Sequence, residues 1–222
     1  MELGRKVEHD ERSKEFAVPR RLAPTKSVQH PTFGATLNQG DVGACTGFGA
    51  CHVMNTGHLR AKLEERGQEV LNNKHALDIY SAATKLDAWP GSYPPDDTGS
   101  SGLAAMKALK SYGLITKYTW AFGIDAVLST IATSPMLVGT DWYESMYRPS
   151  KTGLVKISGS VVGGHAYALT GYQIVGKTVS NNLFWFRNSW GLNWGNIGGF
   201  CMTVKSFEKL LNNQGDAVVP II

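Results

Sequence analysis

The hydrophobic pattern changes character at Pro135, and that change limits the folds open to this chain. Upstream, apolar residues recur at helical spacing. In "KHALDIYSAATKLD", Ala76, Ile79, Tyr80 and Ala83 fall three and four residues apart, the stripe of an amphipathic helix. "LAAMKALKSYG" reads as another helix, ended by Gly113, and "GIDAVLSTIATSP" as one that stops before Pro135. A helix is also expected from Cys45 to about Asn55, with Gly57 as its stop, and "HLRAKLEERGQE" is a surface helix or loop. Its Gly47 and Gly49 are poor helix formers, so close packing against a neighbouring backbone is expected there. Downstream, "MLVGTDWY", "HAYALTGYQIV", "NNLFWFRNSW" and "GGFCMTV" are short β-branched or aromatic runs between turns, the pattern of an antiparallel sheet or barrel. Helices followed by strands predict an α+β fold, with a helical lobe mainly over 38–134 and a β lobe mainly over 135–222.

The chain has 222 residues, enough for one sizeable domain or two halves that share a cleft. Residues 1–20 are set apart as a flexible extension, charge-rich to Lys14, and prolines 19, 24 and 31 make the following stretch an extended strap. The formal charge of +4 is too small, and the "PRR" cluster at Pro19 too isolated, for a nucleic-acid surface. No apolar run is long enough to span a bilayer, and the N-terminus lacks the apolar core of a secretory signal. A cytoplasmic product is expected, or one released by lysis or carried on a particle. The three cysteines, Cys45, Cys51 and Cys201, are an odd number, and the simplest reading is that none is paired.

The chemistry centres on "NQGDVGACTGFGA", Asn38–Ala50. Most free cysteines are small buried hydrophobes. A thiol at a helix N-terminus is different, because the positive end of the helix favours the thiolate. Other clusters are unpromising. Cys51, His52 and His58 match no common zinc spacing, "GFGACH" lacks the later glycine and lysine of a phosphate loop, and Asp96 and Asp97 read as turn residues. No metal or cofactor is expected.

Further along stand "GGHAYALTGY" with His165 and "FRNSWGLNWG" with Asn188. A lone histidine or a lone Asn-Ser-Trp-Gly turn means little. Cysteine, then histidine, then asparagine, across a helical and a β half, resembles the papain-like (C1) cysteine peptidases. Four segments between about Leu37 and Val204 carry the resemblance: "NQGDVGAC", "GSSGLAAMKALKSYGLI", "GGHAYALTGY" and "NSWGLNWG". The sequence departs at Thr46, where the family has tryptophan, and at Val42, where secreted members place a disulfide cysteine. A full inhibitory propeptide is not expected.

The resemblance implies a papain-like two-lobed fold and a cysteine endopeptidase that needs no cofactor. It makes Cys45 the nucleophile, His165 its base and acid, Asn188 the residue that orients the imidazole, and Gln39 an oxyanion donor beside the backbone N–H of Cys45. Trp190 would cover the Asn188–His165 contact. Gly99 and Ser100 would pair with an extended substrate backbone. Gly139, Gly163, Gly164 and Ala166 would line the pocket for the second side chain before the cut. With so little side-chain volume, that pocket is expected to be roomy and apolar and to take Phe or Leu, unless Trp142 or Tyr143 folds into it. The partners implied are a polypeptide substrate and a protein inhibitor, for a monomer with no nucleic-acid or membrane partner. A silent peptide-binding relative, or an amidase acting on cell-wall peptides, is the alternative.

Overall fold

The computed structural model describes residues 1–19 and 22–222. Arg20 and Arg21 of the basic cluster lie outside the described residues. Six α-helices are present among those described: α1 (Cys45–Met54), α2 (Gly57–Glu65), α3 (Asn73–Leu86), α4 (Gly102–Ser111), α5 (Ile124–Ile131) and α6 (Val204–Asn212). The strands are β1 (Val28–Gln29), β2 (Lys117–Trp120), β3 (Met136–Tyr143), β4 (Val161–Gln173), β5 (Leu183–Arg187), β6 (Gly199–Thr203) and β7 (Asp216–Ile221). They form one antiparallel sheet in the order β2-β7-β3-β4-β5-β6, with β1 added to β4. This is the predicted α+β architecture.

Every residue of α1 is buried, as expected for a helix enclosed on all sides. Its two glycines make that possible. A Cβ on Gly47 would lie 2.3 Å from the Ala76 carbonyl of α3, and one on Gly49 would lie 2.7 Å from Leu137 of β3. The helix therefore wedges between α3 and the sheet, where a chain with alanine at position 47 would collide with backbone. Two cores result. One gathers α1, α3 and α4 around Phe48, Tyr80 and Leu109, and the other gathers the sheet, α5 and α6 around Trp142, Tyr167, Phe186 and Phe207.

Two elements escape the division at Pro135. Strand β2 comes from the helical half but pairs with β7, and α6 interrupts the β half. The N-terminal segment also corrects the sequence reading. Instead of forming a loose extension, it runs against both lobes. Residues Glu11–Phe16 form a 3-10 helix, Ala17 bridges to Trp120, and Arg5 pairs with Ser100.

Candidate active site

Cys45 is the first residue of α1 and follows the capping residue Ala44, whose side chain makes no cap. No acidic side chain stands in the first turn, so the helix's positive end is uncompensated there. The backbone N–H groups of Ala166, Gly4 and Thr46 favour the thiolate at Cys45. Burial outweighs them and pushes the thiol up to about 12. The thiol thus lies beside the residue that follows His165.

His165 lies in β4, opposite Thr140 of β3. Strand β5 runs antiparallel to β4, with Arg187 opposite Ala168, so Asn188 arrives at the His165 end. The imidazole Nε2 and Asn188 Oδ1 are 2.7 Å apart. Asn188 Oδ1 also accepts from the Ser189 backbone N–H at 2.8 Å, which fixes the amide orientation. An amide oxygen only accepts, so Nε2 carries the ring proton. Nδ1 is then the basic nitrogen, buried and without a hydrogen-bond partner. Burial depresses the imidazole to about 4, with the Asn188 hydrogen bond opposing. Trp190 stacks on the ring at 4.6 Å between centroids, and Trp142 meets it edge-on at 4.8 Å. Trp142 is therefore wholly committed to the aromatic core and does not fold into the substrate pocket. Trp194 packs against Trp142, Trp190 and Phe200, a core role.

Gln39 is held at its other end. Its Oε1 accepts from Ser189 Oγ at 2.6 Å, so Nε2 faces the cleft and donates to the carbonyls of Val42 at 2.8 Å and Glu2 at 3.2 Å. Trp190 Nε1 donates to the same Glu2 carbonyl at 3.3 Å. The positioning role of Ser189 was hidden in the sequence, although its side chain sits within the Asn-Ser-Trp-Gly block.

The cleft between the lobes is filled by residues 2–6 of the chain itself. Ser100 donates to the Gly4 carbonyl and accepts from Lys6 N–H, both at 2.8 Å, while the Gly164 carbonyl accepts from the Arg5 and Gly4 N–H groups at 3.0 and 3.2 Å. All four glycines read as substrate contacts meet this segment. A Cβ on Gly99 would overlap the Gly4 carbonyl, on Gly163 the Leu3 side chain, on Gly164 the Arg5 carbonyl, and on Gly139 the Arg5 guanidinium.

One residue of this region was missed. Asp216 opens β7 opposite Gly139, and its Oδ2 pairs with Arg5 Nη2 at 2.6 Å. The expected apolar pocket thus has a carboxylate in its wall. Its signal in the sequence is a lone acid heading the apolar strand "DAVVPI", with nothing to link it to positions 139 and 164. Asp97 was also under-read: beyond its turn, it accepts from Gly43 N–H and from Tyr80 Oη.

The three cysteines are free, and Cys51 is buried in the core of α1 without a base. Among the described residues no cluster of His, Cys, Asp and Glu is suited to a metal ion, and no helix is long and apolar enough to cross a membrane.

An α+β chain that brings a helix-terminal thiol and an amide-oriented imidazole to one cleft belongs to the class of two-lobed thiol-hydrolase folds. The family description "Papain family cysteine protease" matches residues 94–221, more than half the chain, and the chain belongs to that family. The match includes His165 and Asn188, whereas Gln39 and Cys45 lie before it. Among solved structures, the chain is similar to xylellain, a cysteine protease from Xylella fastidiosa, at 19% identity and a TM-score of 0.75 over 99% of this chain and 95% of that one. It is also similar to procathepsin B S9 from Trypanosoma congolense, at 13% identity and a TM-score of 0.65 over 100% and 87% of the two chains. Bromelain from Ananas comosus, in complex with the E64 inhibitor, is 17% identical with a TM-score of 0.61 over 92% and 100%. No curated protein sequence matches.

Proposed function

We propose that the protein is a cysteine endopeptidase acting through a thioester on Cys45. The observation that carries this reading is the His165–Asn188 pair, which leaves Nδ1 as the free basic nitrogen. Nδ1 takes the thiol proton, and the thiolate attacks the scissile carbonyl carbon. The carbonyl becomes an oxyanion, which accepts from Gln39 Nε2 and the Cys45 backbone N–H. The imidazolium then gives its proton to the departing amine, leaving a thioester. Water, deprotonated by the same nitrogen, releases the acid and restores the thiol. Asn188 keeps the ring in the tautomer this requires, and stacked Trp190 shields the pair from water.

In the occluded form, burial keeps thiol and imidazole neutral. Activity therefore needs residues 2–6 to leave. Polypeptide substrates, and protein inhibitors that bind as substrates do, are the partners this reading assigns. The test is casein hydrolysis by Arg5→Ala, which breaks the buried pair that holds residues 2–6 in the cleft, and by the same variant carrying Cys45→Ala. Loss of all cleavage in Cys45→Ala, with the circular dichroism unchanged, is expected. Retained cleavage overturns the assignment.

A further inference from the structure

The N-terminal occupant marks what the cleft is built to hold. Both side chains of the Arg5–Asp216 pair are almost fully buried, at 1% and 7% exposure. A second acceptor, the Gln214 carbonyl, lies 2.5 Å from the same Arg5 Nη2. Small residues make the room: the Cβ position at Gly139 is 2.9 Å from Asp216 Oδ1, and that at Gly102 is 3.1 Å away. The pocket is thus a narrow slot ending in a carboxylate and a carbonyl, and both are acceptors. An apolar side chain entering it would bury Asp216 without a counter-charge, which is strongly unfavourable.

The fit of the self-segment is incomplete. Asp216 Oδ1 and Arg5 Nε and Nη1 are buried without partners, so the carboxylate is engaged through one oxygen of two. Gly4, whose N–H donates to the Gly164 carbonyl at 3.2 Å, packs on the backbone of Gly43, two residues before Cys45. The segment lies parallel to Ser100 and serves as an occupant that does not acylate the thiol.

We propose that this slot is a recognition site for a basic side chain, with Asp216 as its specificity-determining residue. Gly4 lies at the thiol and Arg5 one step along the cleft, away from Trp190. In a substrate, that step is the second residue before the cut. The peptidase therefore takes polypeptides with Arg, and less well Lys, at that position, and they enter by displacing Arg5. Arginine is favoured over lysine because its planar fork can engage both carboxylate oxygens. This rests on the peptidase reading above, and the test separates the two.

The experiment uses full-length Arg5→Ala, which empties the slot, and fluorogenic peptides carrying Arg, Lys, Phe or Leu second before the cut. Arg is expected to exceed Phe in kcat/KM by roughly 100-fold, since a site that hydrogen-bonds a substrate group rejects the analogue without it. Asp216→Asn in the same background should bring Arg and Phe level. A further variant, Arg5→Ala with Cys45→Ala, should bind a fluorescein-labelled Arg peptide in a polarisation assay, with the Asp216→Asn change weakening it at least tenfold. Preference for Phe or Leu, or Arg preference surviving Asp216→Asn, overturns the slot while leaving the peptidase intact. Absence of hydrolysis with Asp216-dependent Arg-peptide binding retained overturns the peptidase and leaves the slot. Loss of both overturns both. Should Asp216→Asn fail to fold, the preference measured in Arg5→Ala alone still decides.

Discussion

Asp97 accepts a 2.7 Å hydrogen bond from the backbone N–H of Gly43, two residues before Cys45. Its other oxygen accepts from Tyr80 Oη at 2.5 Å, and the Tyr80 oxygen in turn accepts from Gly99 N–H at 2.9 Å. One carboxylate therefore ties the loop before the nucleophile, helix α3 and the backbone that pairs with the cleft occupant. Burial and the neighbouring Asp97 hold the Tyr80 phenol well above its usual range, so it stays a neutral donor.

Tyr80→Phe removes that donor and leaves Gly99 N–H and Asp97 Oδ1 short of partners. Stranded buried polar groups cost about 1–3 kcal/mol, and a chain of this size loses roughly 2–4 °C in Tm per kcal/mol. A Tm lower by about 5 °C is expected in thermal denaturation. An unchanged Tm would show that water replaces the phenol.

Ser189 decides which end of the Gln39 amide faces the cleft. In Ser189→Ala the amide can turn its oxygen toward the oxyanion, which repels it. A fall of about 100-fold in kcat with KM nearly unchanged is expected, the size of losing one oxyanion donor. Ser189→Thr keeps the hydroxyl and should recover most of the rate. If Thr fails to rescue, Ser189 acts through packing alone.

How far this arrangement could be read beforehand depends on the range of each signal. Cys45 at the start of α1, the strand at His165 and the turn at Asn188 were legible because their patterns are local. Gly47 and Gly49 were legible as close-packing sites for the same reason, since glycine in a helix needs a steric cause. Asp216 and Asp97 were not. Their roles come from pairing Gly139 with Asp216 and from folding Asp97 back on Gly43, contacts that no periodicity encodes. Helix α6 was lost among strands because Val204–Asn212 is short, and β2 because its partner β7 is nearly a hundred residues away in sequence. The N-terminus misled most: it read as a flexible, charge-rich extension, yet Arg5 is held by an acid from the far end of the chain.

Two buried histidines make stability depend on pH. Burial depresses His165 to about 4 and His52 to about 3, the latter with Arg187 adding to the effect. Both fall below the unfolded value near 6.5. The unfolded chain therefore takes up these protons first as pH falls. Their neutral forms support the fold fully above pH 6.5, and that support is lost progressively as pH falls from 6.5 toward 4 and 3, at about 1.4 kcal/mol per pH unit for each. Tm should drop steeply between pH 6.5 and 4, and His52→Leu should make the drop shallower. A Tm flat across that window would mean that water reaches both rings in the folded protein.

The covered thiol should betray itself in its reactivity. With residues 2–6 in place, burial raises Cys45 to about 12, so almost no thiolate exists near neutrality. Alkylation of Cys45 by iodoacetamide, followed by mass spectrometry of its peptide, should be slow in the full chain and rise about tenfold per pH unit from 7 to 10. Arg5→Ala breaks the buried pair that anchors the segment and strands the Asp216 charge. The segment leaves, water enters, and Nδ1 of His165 becomes available to hold the proton. Labelling of Cys45 should then be at least 100-fold faster at pH 7 and nearly level from pH 6 to 8, the mark of an ion pair formed below that range. Rapid labelling of the unmodified chain at pH 6 would show that the segment does not cover the thiol in solution.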